Sequence, residues 1–149
     1  MFRTIINYIK TLKKVKKLDI FKKLRSSGLR PTKQRVEIAK FLFERDKTFH
    51  FTVESLDKLL AKKTISRFAL ATIYNTIHAF KNAGHLREVD IRGKKTYFDT
   101  NITNHHHFYD NETSELIDID TNEVVIQKIP KAPNGKKIKN VEVFINLKN

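Results

Sequence analysis

Apolar and polar side chains follow a helical period over the first half of the chain and a strand period later. Over residues 2–18, apolar residues recur at helical spacing between lysines, which predicts a basic amphipathic helix. Further helices are predicted over 19–27, from Thr32 to about Arg45, after Thr52, and over 69–83. Thr32 and Thr52 are expected to be N-caps, and Gly28 and Gly84 are expected to end helices.

The apolar stripes of these helices predict which faces are buried. The helix predicted over 69–83 is expected to point Thr72, Asn75, Thr76 and Ala79 largely away from the core. The expected core positions of the last three predicted helices are Val36, Ala39, Phe41, Leu42 and Phe43; Leu56, Leu59 and Leu60; and Leu70, Ile73, Ile77 and Phe80.

After Gly84 the period changes to alternation, which predicts a β-hairpin over 86–99 with a basic turn at 92–95. Helices followed by a basic-tipped hairpin are the order of a winged helix-turn-helix. Residues 101–104 resemble a linker, and short strands are predicted over 105–109, 115–119 and 141–147. The expected fold class is therefore α+β, with a DNA-binding domain over 19–100 and a small second domain over 101–149. Three strands make a marginal core, which favours pairing with a second copy.

Charge is distributed unevenly over the 149 residues. Residues 1–100 carry 24 basic and nine acidic side chains, whereas 101–149 carry six basic and seven acidic ones. Clustered cations favour a phosphate backbone, so the first part is expected to bind nucleic acid; an anionic membrane surface is the alternative. No apolar run reaches the ~18 residues of a membrane span, and no secretion signal is evident, so we expect a cytoplasmic protein. Without any cysteine, thiolate metal sites and thiol nucleophiles are excluded.

Three consecutive histidines, His105 to His107, are the most distinctive chemical feature. On a strand, His105 and His107 share a face, and two imidazoles at that spacing can converge on Zn, Fe, Mn or Ni. Asp99, Asp118 and His50 are candidates to complete the shell. The competing interpretations are a solvated strand edge and an axial haem ligand.

Four motifs together make the chain resemble the ferric uptake regulator (Fur) family. Within it, the chain looks most like the iron response regulator (Irr) branch, because of Leu86 to Val89, Lys95 to Asn101, the triple histidine and Glu115 to Ile119. The family-level motifs are Gly28-Leu-Arg-Pro-Thr-Lys-Gln-Arg35, His50-Phe-Thr-Val-Glu54, Leu70-Ala-Thr-Ile-Tyr-Asn-Thr-Ile77 and the histidine run.

The resemblance implies a homodimer that binds A·T-rich promoter DNA and represses iron and haem genes. By position, Thr72, Tyr74 and Asn75 would face DNA from the recognition helix, and Arg30 would reach a narrow minor groove. A Fe, Mn or Zn site would use His50, Asp99, His105, His107 and Asp118. The triple histidine, His106 included, would bind haem or iron. The family's structural zinc cysteines and the branch's Cys-Pro haem motif are absent.

The sequence-based expectation is thus an iron- or haem-responsive transcriptional regulator and not an enzyme. A constitutive DNA-binding protein with a resident structural metal is the main alternative. A metal-dependent hydrolase and a membrane-surface protein anchored by residues 1–18 are weaker alternatives.

Overall fold

A computed structural model describes residues 18–64 and 66–149, which form two compact units. The N-terminal unit ends at Asn101 and the C-terminal unit begins at Ile102. The amphipathic helix predicted over 2–18 lies, apart from Leu18, outside the described residues. Within the described part of the chain, no helix is long and apolar enough to cross a membrane.

The N-terminal unit contains four helices and a small sheet. Its strands are β1 (His50–Phe51), β2 (Arg87–Val89) and β3 (Tyr97–Asp99). Its helices are α1 (Ile20–Ser26), α2 (Lys33–Phe43), α3 (Val53–Lys63) and α4 (Leu70–Asn82).

The predicted caps are present at both N-termini. The Thr32 hydroxyl accepts a hydrogen bond from the Arg35 backbone N–H, and Thr52 forms a capping box with Ser55. After α1 and α4, the chain turns through Gly28 and Gly84, both at φ +78°, which is the left-handed conformation that favours glycine.

The core of this unit confirms most predicted apolar positions and corrects several. Leu70 is 45% exposed although it was predicted to be buried, and Thr76 is 5% exposed although it was predicted to face away from the core. Leu70 is the first residue of α4, where the helix has not yet reached the core, whereas Thr76 lies beside Ile73 and Ile77 on the packed face. Ile38, absent from the predicted stripe, is fully buried on α2.

Strand β1 joins the predicted hairpin and was not foreseen. The sheet order is β1-β3-β2, entirely antiparallel, with His50 opposite Asp99 across the β1–β3 pair. A two-residue strand is too short to show alternation, so its sequence gives no period to detect. Its register nevertheless brings two of the predicted ligands together.

The C-terminal unit is built on a sheet of order β5-β4-β6. Strands β4 (His106–Asp110) and β5 (Glu115–Ile119) form an antiparallel hairpin, and β6 (Phe144–Leu147) pairs parallel to β4. A 3₁₀ turn covers Thr121–Glu123. Strand β6 begins three residues later than predicted, and residues 124–143 of this unit form no helix or strand. Tyr109, Leu116 and Ile119 are its buried apolar residues.

Candidate DNA-binding face and metal-ligand clusters

The predicted DNA contacts lie on the N-terminal unit at or near its surface. Tyr74 and Asn75 are exposed on α4, and Thr72 is half-buried on the same helix. Arg30 is exposed in the turn between α1 and α2, where its backbone carbonyl accepts a hydrogen bond from the Arg35 guanidinium. Exposed side chains on the second helix of a helix-turn-helix can reach base edges in the major groove.

Tyr74 is linked to the hairpin through a carboxylate. The Tyr74 hydroxyl donates a hydrogen bond to Glu54 Oε1 at 3.2 Å, and Lys95 Nζ, beside the hairpin turn, lies 3.9 Å from the same oxygen. The backbone N–H at the start of α3 is the largest influence that lowers the pKa of Glu54, and Tyr74 and Lys95 lower it further. The Glu54 carboxylate in turn raises the pKa of the Tyr74 phenol. Glu54 was not among the predicted site residues.

The first pair of metal-ligand candidates lies at the β1–β3 register point. His50 Nε2 is 3.2 Å from Asp99 Oδ2, and Asp99 is completely buried. The other carboxylate oxygen of Asp99 accepts a hydrogen bond from the Asn101 backbone N–H at 2.7 Å. A buried carboxylate is costly unless it is paired or holds a cation.

The second group lies on β4 and β5 of the C-terminal unit and on His105, the residue just before β4. His105 Nε2 and His107 Nε2 are 3.0 Å apart, and Asp118 Oδ1 is 3.3 Å from the former and 3.5 Å from the latter. His107 is opposite Asp118 across the β4–β5 pair, which places the carboxylate beside the ring. All three histidines of the run are buried, so the interpretation as a solvated strand edge is wrong.

Hydrogen bonds at Nδ1 fix which nitrogen of each ring faces the cluster. His105 Nδ1 is 2.7 Å from the Thr103 carbonyl, and His107 Nδ1 is 2.8 Å from Glu142 Oε1. Both partners are acceptors, so in a neutral ring Nδ1 carries the hydrogen and Nε2 carries the lone pair.

The C-terminal cluster fits a divalent ion. Two imidazole lone pairs and one carboxylate oxygen are all electron-pair donors of the kind that bind first-row metals. The two Nε2 atoms, which are 3.0 Å apart, and Asp118 Oδ1 would hold such an ion, and the ion would supply a positive charge between these donors. His106 points elsewhere, and its Nδ1 accepts a hydrogen bond from the Val143 backbone N–H at 3.1 Å.

The model of the ferric uptake regulator family matches residues 26–147. The chain belongs to this family. Ferric uptake regulators are transcription regulators rather than enzymes, and they bind DNA as dimers. The family membership confirms the predicted class of protein, while the narrower Irr branch is not confirmed.

Two curated relatives carry the name peroxide-responsive repressor PerR. The repressor of Staphylococcus epidermidis is 30% identical over 95 residues, which are 64% of this chain and 61% of the relative. The repressor of Staphylococcus saprophyticus is 30% identical over 100 residues, or 67% of this chain and 66% of the relative. The chain therefore matches less than two thirds of the length of each relative.

Solved structures of ferric uptake regulators share the fold. The Pseudomonas aeruginosa regulator with manganese has a TM-score of 0.66 at 21% identity, covering 89% of this chain and 98% of its own. The Vibrio cholerae regulator has a TM-score of 0.67 at 21% identity, covering 88% and 100%. These matches confirm the predicted fold class, α+β with a DNA-binding domain and a small second domain.

The sequence-based prediction included the candidate ligands of both clusters but not the residues that contact them. Glu142 and Thr103 hold the two histidine rings, and neither was a candidate. Glu142 had a detectable signal, because it is the single carboxylate in residues 124–149 and precedes an apolar strand. Thr103 acts through its backbone carbonyl, so its side-chain identity gave no signal.

Proposed function

We propose that this chain is a homodimeric, metal-dependent repressor of transcription that acts in the cytoplasm. The observation that carries the proposal is the convergence of two imidazole Nε2 atoms on one Asp118 oxygen, with both Nδ1 atoms already engaged. Fe²⁺, Mn²⁺ and Zn²⁺ all accept this set of donors. The regulator with manganese from Pseudomonas aeruginosa supports a divalent ion as the ligand.

His50 and Asp99 are proposed to complete the coordination shell. The C-terminal cluster offers three donor groups, and divalent ions in closed protein sites usually take at least four. His50 and Asp99 supply an imidazole and a buried carboxylate of the same chemistry. An ion held in common by residues of both units would favour one angle between them, and ligand binding changes DNA affinity only through such a preference.

Thr72, Tyr74, Asn75 and Arg30 are proposed to bind the DNA. Support comes from the exposure of Tyr74, Asn75 and Arg30, together with the basic hairpin turn at Arg92 to Lys95. A·T-rich promoter sites, and iron and haem genes as targets, remain predictions from the resemblance to the Irr branch.

The deciding experiment measures the effect of Mn²⁺ on DNA binding by the full chain and its variants. The operator is first selected from a random duplex pool with and without Mn²⁺. We expect the His105→Ala, His107→Ala double variant to keep basal DNA binding and to lose the Mn²⁺ response. Asp120→Ala, an exposed carboxylate just after β5, is the matched control. An unchanged Mn²⁺ response in the double variant would contradict the proposal and favour constitutive DNA binding.

A peroxide response is the second candidate, and the names of the staphylococcal relatives support it. The chain has no cysteine, so oxidation of a thiol cannot be the sensing step. A response would therefore depend on a redox-active ion at the histidines. Loss of DNA binding after H₂O₂ treatment with Fe²⁺, but not with Mn²⁺ or Zn²⁺, would favour this candidate.

Haem binding by His105, His106 and His107 remains a prediction without support from the relatives. All three rings are buried, so at least one would have to leave its present contacts to reach a porphyrin. A haemin titration followed at the Soret band tests it directly. A saturable shift that is lost in the triple alanine variant would favour haem over an ion.

A further inference from the structure

Glu142 contacts a proposed metal ligand without being one of the predicted ligands. Its Oε1 lies 2.8 Å from His107 Nδ1, and its side chain is 15% exposed while that of His107 is fully buried. The contact is at the ring nitrogen opposite the one that faces His105 and Asp118. Glu142 therefore lies behind the imidazole and not among the donors in front of it.

A carboxylate in this place has a defined chemical effect on the ring. Because a carboxylate accepts hydrogen bonds, Glu142 keeps the hydrogen of neutral His107 on Nδ1 and leaves the lone pair on Nε2. The negative charge also makes the imidazole a stronger electron-pair donor. Carboxylate partners of this kind orient metal-binding histidines, and removing them weakens metal affinity by roughly 10–100-fold.

The residues beside Glu142 fix the same ring from two further directions. The backbone N–H of His107 donates to the Val143 carbonyl at 3.1 Å. The Phe144 ring stacks on His107, with centroids 5.7 Å apart and planes at 14°. The chain that enters β6 thus holds the backbone, the face and the Nδ1 edge of one imidazole.

We propose that Glu142 is a positioning residue that presents His107 Nε2 to a divalent ion. The inference rests on the proposed function, because it requires that the histidine cluster binds an ion. The role differs from that of the ligands, since Glu142 acts through His107 and its loss leaves every donor in place.

The test compares Glu142→Leu with Glu142→Gln in the full chain. The glutamine keeps a hydrogen-bond acceptor of similar size, whereas the leucine removes it. Glu115→Leu, at the exposed start of β5, is the control for losing a carboxylate in the same unit. Mn²⁺ affinity is measured from the signal of free Mn²⁺ in electron paramagnetic resonance, and the ring tautomer of His107 from ¹⁵N chemical shifts of the metal-free protein.

We expect Glu142→Leu to weaken Mn²⁺ binding by roughly 10–100-fold and to shift hydrogen from Nδ1 towards Nε2 of His107. Glu142→Gln is expected to restore the tautomer and most of the affinity, and Glu115→Leu to match the unmodified protein. Equal Mn²⁺ affinity and an unchanged tautomer in Glu142→Leu would overturn the inference alone. Absence of saturable Mn²⁺ binding in the unmodified protein would instead overturn the proposed function.

Discussion

Glu54 shows how one carboxylate connects the two elements proposed to touch DNA. It accepts a hydrogen bond from Tyr74 on α4 and lies near Lys95 beside the hairpin turn. A carboxylate on a DNA-facing surface repels phosphate, and it also partly neutralises a lysine that could contact the backbone. We therefore expect Glu54 to reduce the affinity for any DNA while its hydrogen bond holds the Tyr74 hydroxyl in place.

Replacing Glu54 with glutamine is expected to raise DNA affinity without regard to sequence. The amide still accepts a hydrogen bond from Tyr74, but Lys95 is released to contact phosphate. The slope of log K against log salt should become steeper by about 0.9 for one additional phosphate contact. Fluorescence anisotropy with the selected operator and with a scrambled duplex, over several salt concentrations, measures both quantities. Glu37→Gln, a half-buried carboxylate on α2, serves as the control, and a salt slope equal to that of the unmodified protein would refute the expectation.

At the scale of single residues, the sequence indicates which side chains can bind a metal ion, but not which groups surround those side chains. His50, Asp99, His105, His107 and Asp118 were predicted because their side chains carry recognisable donor atoms. Glu54 and Glu142 were missed, because a glutamate looks the same in sequence whether it faces solvent or a buried ring. Their roles come from contacts between residues far apart along the chain, and no local pattern encodes such contacts.

At the scale of elements, helices were more predictable than short strands. Helix α3 has a threonine cap, an acidic first turn and an apolar stripe, and these signals agree. Strand β1 has two residues and no period, yet it places His50 opposite Asp99. The first and seventh residues of α4 show the same limit, since exposure of Leu70 and burial of Thr76 depend on what packs against the helix.

The contact between Ser27, just after α1, and His85, just after α4, predicts that the stability of the fold depends on pH. His85 Nε2 lies 2.7 Å from the Ser27 hydroxyl, and its ring packs edge-on against Phe43 and Phe80. Desolvation, and then the charge of Lys23, lower the pKa of His85 below its ordinary value of 6.5. Below pH 6.5, His85 therefore binds a proton more readily in the unfolded chain than in the folded chain. The folded state consequently loses stability as the pH falls from 6.5 towards the lowered pKa of His85.

We expect the loss of stability at low pH that is due to His85 to disappear when His85 is replaced by glutamine. The difference in unfolding free energy between the two proteins should shrink as the pH falls from 7.5 to 5.5, because only the unmodified protein has the histidine that opposes protonation. Urea unfolding at several pH values measures this difference. His78→Gln, at an exposed histidine on α4, is the control for removing an imidazole from the same unit. A pH-independent difference for His85→Gln would contradict the assignment.

At the scale of the whole molecule, charge and chemistry are divided between the two units. The basic excess is confined to residues 1–100, which include the proposed DNA contacts, whereas three of the five proposed ligands belong to the C-terminal unit. This division could be predicted from the sequence, because charged residues and histidines can be counted without a structure. The effect of an ion on DNA affinity could not be predicted, because it depends on which side chains bind the same ion.

On the proposal that residues of both units bind one ion, we expect that ion to protect the segment that joins the units. Ile102, Thr103 and Asn104 are exposed and outside regular structure, so they offer a site for proteinase K. Saturating Mn²⁺ should slow cleavage there relative to protein treated with EDTA. The protection should be absent in His50→Ala, which leaves the C-terminal cluster intact. Equal protection in that variant would mean that the ion binds without His50.

The parallel pairing of β6 with β4 also sets an order of events during synthesis. The hairpin of β4 and β5 needs few intervening residues, but Glu142 meets His107 across a separation of 35 residues. Contacts between distant residues close later than local ones, because a longer loop must be ordered first. A nascent chain thus exposes its histidines well before Glu142 and β6 exist to orient them. Tight metal binding is therefore expected only after Glu142 and β6 have left the ribosome.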